Sequence, residues 1–557
     1  YTDTGSHART STTPGADRGW TDGMLTPASM SLEPSRHLPP LAFYQSTAGA
    51  GTLKGNHDRL SRFLHQSLPS RSDLEMIINA SRHPFVPVLA HQILTVPYTT
   101  LRQTGLTKPE SLLHIPEPDQ HPVLIARYML ELAIFLQHLH PNIHKNMMGL
   151  SETPRMIRER LADLANGLVT KNDEFTGSIE GLGCVMLDSM YQANVGSLRR
   201  SWLTGRRAIT IAQLMGLDGP DNRAQYKVLD SKTEHHPQFM WFRIIYLDRL
   251  LSLMLGLPPG PLDNNMLSDA MLGTYNDTIG GLEWTHTVLA SRILKRNKSK
   301  KALEDLALTR TMDEELQKAA RSLPSKWWLA PTLDNVASAD SEALYWDTRR
   351  LFAQILHFNL LSQLHLPYML RSSSAPAHQQ EYSAATCANA SREILSRFTI
   401  FRNFKQVAYG WSCRIVDCLA LMAAMTLLLA HIDSYRCADA RNRLAHQYVT
   451  DRAMIEQAQE NMEEVNRLNS DALSAQSAEL LRRLLAVDVE ADEANGCFRR
   501  VTVQDTEVGP EVSDHDADDV VCMHIPYFGT IRISSEGVSK EVLTRPAAAS
   551  NEASLPS

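Results

Sequence analysis

Between Phe239 and Leu255 apolar side chains return every three or four residues, so that Met240, Ile244, Leu247, Leu251 and Met254 form one stripe of a helix. Gly256-Leu257-Pro258-Pro259 stops it, because glycine accepts a left-handed cap and proline cannot continue the ladder. The same period governs most of the chain. It predicts helices at His121–Leu139, Arg155–Leu168, Ile179–Val195, Leu198–Met215, Leu282–Lys295, Ala302–Leu323, Ser341–Leu366, Ala384–Phe401, Trp411–His431, Ala453–Leu468 and Leu473–Val487. Earlier, Leu60, Phe63, Leu64 and Leu68 fall at helical spacing, and Ser72 is the expected cap of the next helix. Aromatic residues make up only 7% while Leu, Ala and Met abound, which favours helices because unbranched side chains lose little freedom there.

These runs predict an all-α fold, a large multi-helix bundle or array, in a chain of 557 residues with room for one large or two to three ordinary domains. Residues 1–57 are rich in Ser, Thr, Gly and Pro and read as a disordered leader or linker. Residues 58–487 form the expected helical domain. Residues 488–557 read as an acidic, mostly disordered tail, with Asp488, Glu490, Asp514 and Asp519 among many carboxylates and one extended patch at Ile525–Ile533. Mixed with Val, Phe and Tyr, such a tail suits either an activation segment or plain solubilisation.

The formal net charge of −7 argues against a surface devoted to nucleic acid. Seven scattered cysteines include no Cys-x-x-Cys pair, which fits buried thiols in a reducing compartment. The longest apolar run, Cys418–Ala430, is shorter than the roughly 20 residues a bilayer span needs, so a buried core helix in a soluble protein is expected, with no membrane partner. A binuclear zinc cluster needs six closely spaced thiolates, and none are so spaced; Cys413 and Cys418 fall on different sides of a helix. His138, His140 and His144 lack a completing carboxylate or thiol, and His235-His236 is weaker still as a metal pair. Enzyme motifs are absent: no Gly-x-Ser-x-Gly, His-Glu-x-x-His, phosphate loop or Gly-x-Gly-x-x-Gly occurs. Gly181-Leu182-Gly183 suggests close helix packing, and Glu131 and Asp248 have no evident catalytic partner. No catalytic, cofactor or metal residue is therefore assigned, and no cofactor is expected in this chain.

Two basic groups remain. Arg199, Arg200, Arg206 and Arg207 share a helix face, and Arg292, Lys295, Arg296, Lys298, Lys300 and Lys301 crowd a helix end. Both read first as solvated faces; the second also suits a nuclear-import signal. Asp248-Arg249, inside so apolar a helix, should reach partners across helix crossings. Trp202, Trp241, Trp327, Trp328 and Trp411 are the candidates to line a pocket, should one exist.

Three stretches within 176–261 resemble the fungal-specific transcription factor domain, or middle homology region, of fungal zinc-cluster transcription factors. They are Ser197-Leu198-Arg199-Arg200-Ser201-Trp202 leading to Arg206-Arg207-Ala208-Ile209, then Ala212-Gln213-Leu214-Met215-Gly216-Leu217, then Tyr246-Leu247-Asp248-Arg249-Leu250-Leu251-Ser252 with Gly256 and Pro258. Phe135-Leu136-Gln137-His138-Leu139-His140-Pro141 and Ile525-Pro526-Tyr527-Phe528-Gly529-Thr530-Ile531-Arg532 extend the resemblance to about 60–535. The resemblance implies a nuclear regulator of RNA polymerase II transcription and no enzyme. Its helical middle region would control activity, in some members through a small effector, with coregulators and a homodimer as further partners. DNA would be read by an N-terminal zinc cluster, which alone would carry zinc. This chain begins with Tyr1, and its Ser/Pro-rich start is similar to the linker after such a cluster, so truncation is the expectation. A cluster-free co-regulator is the second reading, and a helical ligand-binding protein or enzyme the third.

Overall fold

The computed structural model describes residues 53–541 with internal gaps, the longest at 81–89, 262–277, 332–340, 404–412 and 494–520; residues 1–52 and 542–557 lie outside it. Sixteen α-helices are described. In chain order they are α1 Leu53–Gln66, α2 Arg71–Ala80, α3 Ala90–Thr95, α4 Tyr98–Thr104, α5 Pro122–His138, α6 Pro154–Ala165, α7 Ile179–Asn194 and α8 Leu198–Leu214. Then follow α9 Pro237–Leu255, α10 Thr278–Asn297, α11 Leu306–Arg321, α12 Ser341–Leu370, α13 Ala377–Asn403, α14 Arg414–Arg436, α15 Tyr448–Asn469 and α16 Ala472–Glu493. The all-α expectation holds for the helical body.

Local signals fix most boundaries. Pro122, Pro154 and Pro237 occupy first turns, where no amide is needed. The Thr153 hydroxyl accepts from Met156 N at 3.2 Å, and Ser178 Oγ accepts from Gly181 N at 3.0 Å. Gly256, at φ 68°, closes α9 in the left-handed conformation that its sequence announced. The cap of α2 is Ser70 rather than the predicted Ser72: Ser70 Oγ accepts from Asp73 N at 3.1 Å and donates to the Asp73 carboxylate at 2.9 Å. Helix α1 starts at Leu53, inside the span read as leader. Helix α12 runs through Pro367 to Leu370, past the predicted stop at Leu366.

Two apolar cores share one helix. The first gathers α1, α2 and α5–α8 with Met240, Trp241, Ile244 and Ile245 from the start of α9. The second gathers α12–α16 with Leu250, Leu251, Met254 and Leu255 from the end of α9. Each leucine fully buried there contributes about 2 kcal/mol, so apolar packing along α9 joins the two halves. A third cluster, with Leu253, Leu289, Ile293, Met312, Leu316 and Leu360, seats α10 and α11 beside it. The span Arg414–His431 of α14 is long and apolar enough to cross a membrane, yet it is wholly buried within the bundle. It also carries Asp417, which accepts from Arg402 Nε at 3.0 Å.

The predicted tail behaves differently at its start and middle. Helix α16 continues into it as far as Glu493. Instead of one extended patch there is a three-stranded antiparallel meander, β1 Val521–Ile525, β2 Gly529–Ser534 and β3 Gly537–Glu541, with Cys522 opposite Arg532 and Arg532 opposite Ser539. A period of two over so few residues is a weak signal, which is why only its centre was visible. The acidic residues between 494 and 520 lie outside the described residues.

Candidate functional site: buried charges around a polar chamber and an open groove

Helix α9 carries two arginines that the apolar stripe cannot absorb. Arg243 NH1 reaches Glu283 Oε2 of α10 at 2.7 Å, and its Nε donates to the Ile93 carbonyl at 3.0 Å. Arg349 NH2 of α12 takes the other carboxylate oxygen at 2.6 Å. The Tyr98 hydroxyl of α4 donates to Glu283 at 3.0 Å and accepts from both arginines. Glu283 has no exposed surface. Aromatic faces of Tyr98, Phe239 and Tyr246 surround the Arg243 guanidinium. Burial alone would lower the Arg243 pKa; Glu283 and Tyr98 outweigh it and raise it, so the arginine stays charged. Four helices thus meet on one carboxylate.

Lower on α9, Asp248 and Arg249 do reach across crossings, as expected, but they also bind each other. The Asp248 carboxylate accepts from Arg206 of α8 at 3.4 Å and from Gly260 N at 2.8 Å. Arg249 donates to Ser291 Oγ at 2.8 Å and to the Pro261 carbonyl at 3.0 Å. A Cβ at Gly260 would sit 2.7 Å from Arg206 NH1 and 2.8 Å from Ile209 Cδ1, so a larger residue there would have to push those side-chain tips aside.

A second polar region lies between α3, α5, α7 and α9. It is a chamber of about 20 Å³, room for the centre of one water-sized group, with His91, Arg127, Glu180, Gly183 and His235 in its wall. Glu180 Oε1 accepts from Leu229 N at 2.9 Å and Asp230 N at 3.0 Å. Glu131 Oε1 accepts from His91 N and faces His91 Nδ1, both at 2.8 Å. The second oxygen of each carboxylate is buried without a partner. Burial lowers the His235 pKa, against the pull of Glu180. Arg127, Glu131 and Glu180 all act on the buried Cys184 thiol, whose pKa burial pushes up to about 12.

The third feature is an open groove of about 910 Å³ between α11, α12 and α13. Trp328, Phe358 and Leu361 line it with apolar surface, Arg321 and Glu393 line it as well, and buried Arg397 lies over the Phe358 ring and donates to the Trp328 carbonyl at 2.8 Å. His357 lies 4.7 Å from the Trp328 ring, and its Nδ1 meets Nε2 of His286 in α10 at 3.2 Å. Burial depresses both imidazoles, His357 to about 4.

Other residues noted in the sequence scatter. Arg206 and Arg207 of the first basic group are engaged with Asp248 and Asp173. In the second group Arg292 pairs with Glu315, while Arg296 is buried and donates to the Leu364 carbonyl at 2.9 Å, so it is no surface charge. Lys300, Lys301, His140, His144 and Trp411 lie outside the described residues. His138 is buried, its pKa lowered by burial to about 3. His236 Nε2 lies 3.1 Å from Glu234. Among the described residues no three His, Cys, Asp or Glu converge on a metal position. The tryptophans do not gather: Trp328 lines the groove, Trp327 packs on it, Trp241 is core, and Trp202 Nε1 donates to Ser252 Oγ at 3.1 Å. Gly181 does serve close packing, since a Cβ there would lie 2.2 Å from the Phe175 carbonyl; Gly183 faces open space. The chamber itself was missed. Its one signal was a carboxylate, Glu180, at the start of an apolar helix.

Comparison with known proteins places this architecture. The chain is 55% identical over 527 residues to a dehydrocurvularin biosynthesis regulator of Alternaria cinerariae, covering 93% of this chain and 67% of that protein. A protein of the same description from Aspergillus terreus is 54% identical, over 94% of this chain and 71% of its own length. The transcription factor sdnS of Sordaria araneosa is 32% identical over 91% of this chain and 62% of its own. No family model matches, and no solved structure matches.

Proposed function

Since the chain belongs to a family of fungal transcription factors and biosynthesis regulators, we propose that residues 58–487 are its regulatory domain, of the middle-homology-region type. In this reading the protein acts in the nucleus on RNA polymerase II transcription of a biosynthetic gene set. DNA is read by an N-terminal zinc cluster outside these 557 residues, and the helical body decides whether the bound factor is active. The single observation that carries the reading is identity of 54–55% to two biosynthesis regulators across nearly the whole chain. Supporting it, the polar features described sit where helices cross. The groove over Trp328 is of ligand size and offers a place for a coregulator segment or a small effector. The acidic segment between 494 and 520 suits an activation sequence.

Fusing the whole chain to an unrelated DNA-binding domain should change expression of a reporter carrying that domain's site. An unchanged reporter overturns the regulatory reading. By itself the chain should bind duplex DNA weakly, without sequence preference, and less as salt rises. Tight, salt-resistant binding to one sequence would assign DNA reading to the helical body instead.

A further inference from the structure

We infer that the groove between α11, α12 and α13 is the docking site for an acidic amphipathic helix of a partner protein. Half-buried Trp328, Phe358 and Leu361 line it, and its space of about 910 Å³ has room for several large side chains. Leu329, next to Trp328, and Tyr382, one turn before the lining residue Thr386 on α13, are 66% and 45% exposed. Apolar surface gathered in this way and left in water favours association. The groove is open to solvent, whereas a small ligand is sealed over most of its surface in its own pocket. Its walls are helices, whose backbone groups bond within each helix, so a guest must be held by its side chains. On α13 the lining runs from Thr386 to Arg397, about 16 Å from the helical rise, which matches three turns of a guest helix with anchors at every third or fourth position.

Charge selects that guest. The chain as a whole carries a net −7, yet the segments bearing the groove, 317–329, 354–365 and 382–400, hold Lys318, Arg321, Lys326, Arg392 and Arg397 against Glu393 alone. Arg397 is taken by Glu393, and Arg392 by Asp451. Lys318, Arg321 and Lys326 are exposed and have no carboxylate partner among the described residues; Arg321 NH2 donates to Gln317 Oε1 at 3.0 Å. A basic guest would meet three uncompensated cations, while an acidic one brings their counter-charges and lays its apolar face in the groove. Exposed ion pairs add little each, so the charges choose the partner and the apolar anchors hold it. The inference rests on the regulatory reading, whose coregulator it specifies. Its test reads binding alone, so its failure would leave the reporter result standing.

Fluorescence anisotropy on the whole chain with the labelled peptide Glu-Glu-Leu-Phe-Glu-Glu-Leu-Leu-Glu-Glu-Phe-Leu is the direct test. Saturable one-to-one binding is expected, weakening as salt rises. The same peptide with Lys for every Glu, or with Ser for every Leu and Phe, should bind at least tenfold more weakly. Joint replacement Lys318→Glu, Arg321→Glu and Lys326→Glu touches exposed side chains only; it should weaken the acidic peptide at least tenfold and strengthen the lysine peptide. Thr386→Trp, which lays an indole across the groove, should abolish binding at a parental melting temperature, and it covers the case where the triple variant fails to fold. No saturable binding of the acidic peptide overturns the inference. So does equal affinity for the lysine peptide, or unaltered affinity in Thr386→Trp. A dimer in sedimentation equilibrium that Thr386→Trp splits would also overturn it, by giving the groove to a second copy of this chain.

Discussion

Glu283 and Glu180 are both sealed from solvent, yet their surroundings are opposites. Glu283 has every oxygen engaged by Arg243, Arg349 and Tyr98, drawn from three other helices. Glu180 has one oxygen held by two backbone amides and one buried without a partner among the described residues. The first arrangement leaves nothing for a ligand to add, and it fixes how α4, α9, α10 and α12 cross. Buried ion pairs of this kind define geometry more than they add net stability, because desolvation offsets much of their attraction. The second arrangement leaves part of its desolvation uncompensated by the described residues.

The largest expected effect breaks the saturated side of this contrast. Glu283→Ala strands two buried guanidinium groups and should cost about 3–5 kcal/mol, read as a lower midpoint in urea unfolding. Parental stability in that variant would show that the hub organises nothing. Next, Asp248→Ala frees Arg249 inside α9 and leaves Gly260 N without its acceptor; about 3 kcal/mol should be lost, and an unchanged melting temperature would refute the role given to this pair.

A pH effect sharpens the comparison from another side. His138 and His357 have pKa values lowered to about 3 and about 4, and His286 is lowered as well. In the unfolded chain each titrates near about 6.5. As pH falls below that value the unfolded state takes up protons that the folded state refuses, so stability should decline from about pH 6.5 toward pH 4. His138→Leu should flatten that slope throughout the range; an identical slope would assign it to other groups. The smallest effect belongs to the chamber. Glu180→Gln, which keeps the accepting oxygen, should shift stability by less than about 1 kcal/mol in either direction. A loss as large as that of Glu283→Ala would mean that Glu180 is structural and the contrast false.

Much of this molecule follows from period alone. The stripe Met240–Met254 and its Gly256 stop are found as read, and α7, α8 and α14 lie close to their expected bounds. Short helices α3 and α4 escaped notice, because six or seven residues give fewer than two turns in which a stripe can repeat. They matter, since His91 and Tyr98 come from them. Helix α12 ran through Pro367 because packing on α13 outweighs one missing hydrogen bond.

The amino-acid sequence by itself determined which segments coil, which faces turn inward and that the body is a helical assembly, because those depend on neighbours three and four residues away. Which charges would meet was decided only by the tertiary structure. Tyr98 and Arg349 are 251 positions apart, and Glu131 finds His91 across 40, so no local pattern could announce either partnership. The unpartnered oxygens of Glu131 and Glu180 are likewise a property of how the helices pack, and a carboxylate within an apolar run gives only a hint of them.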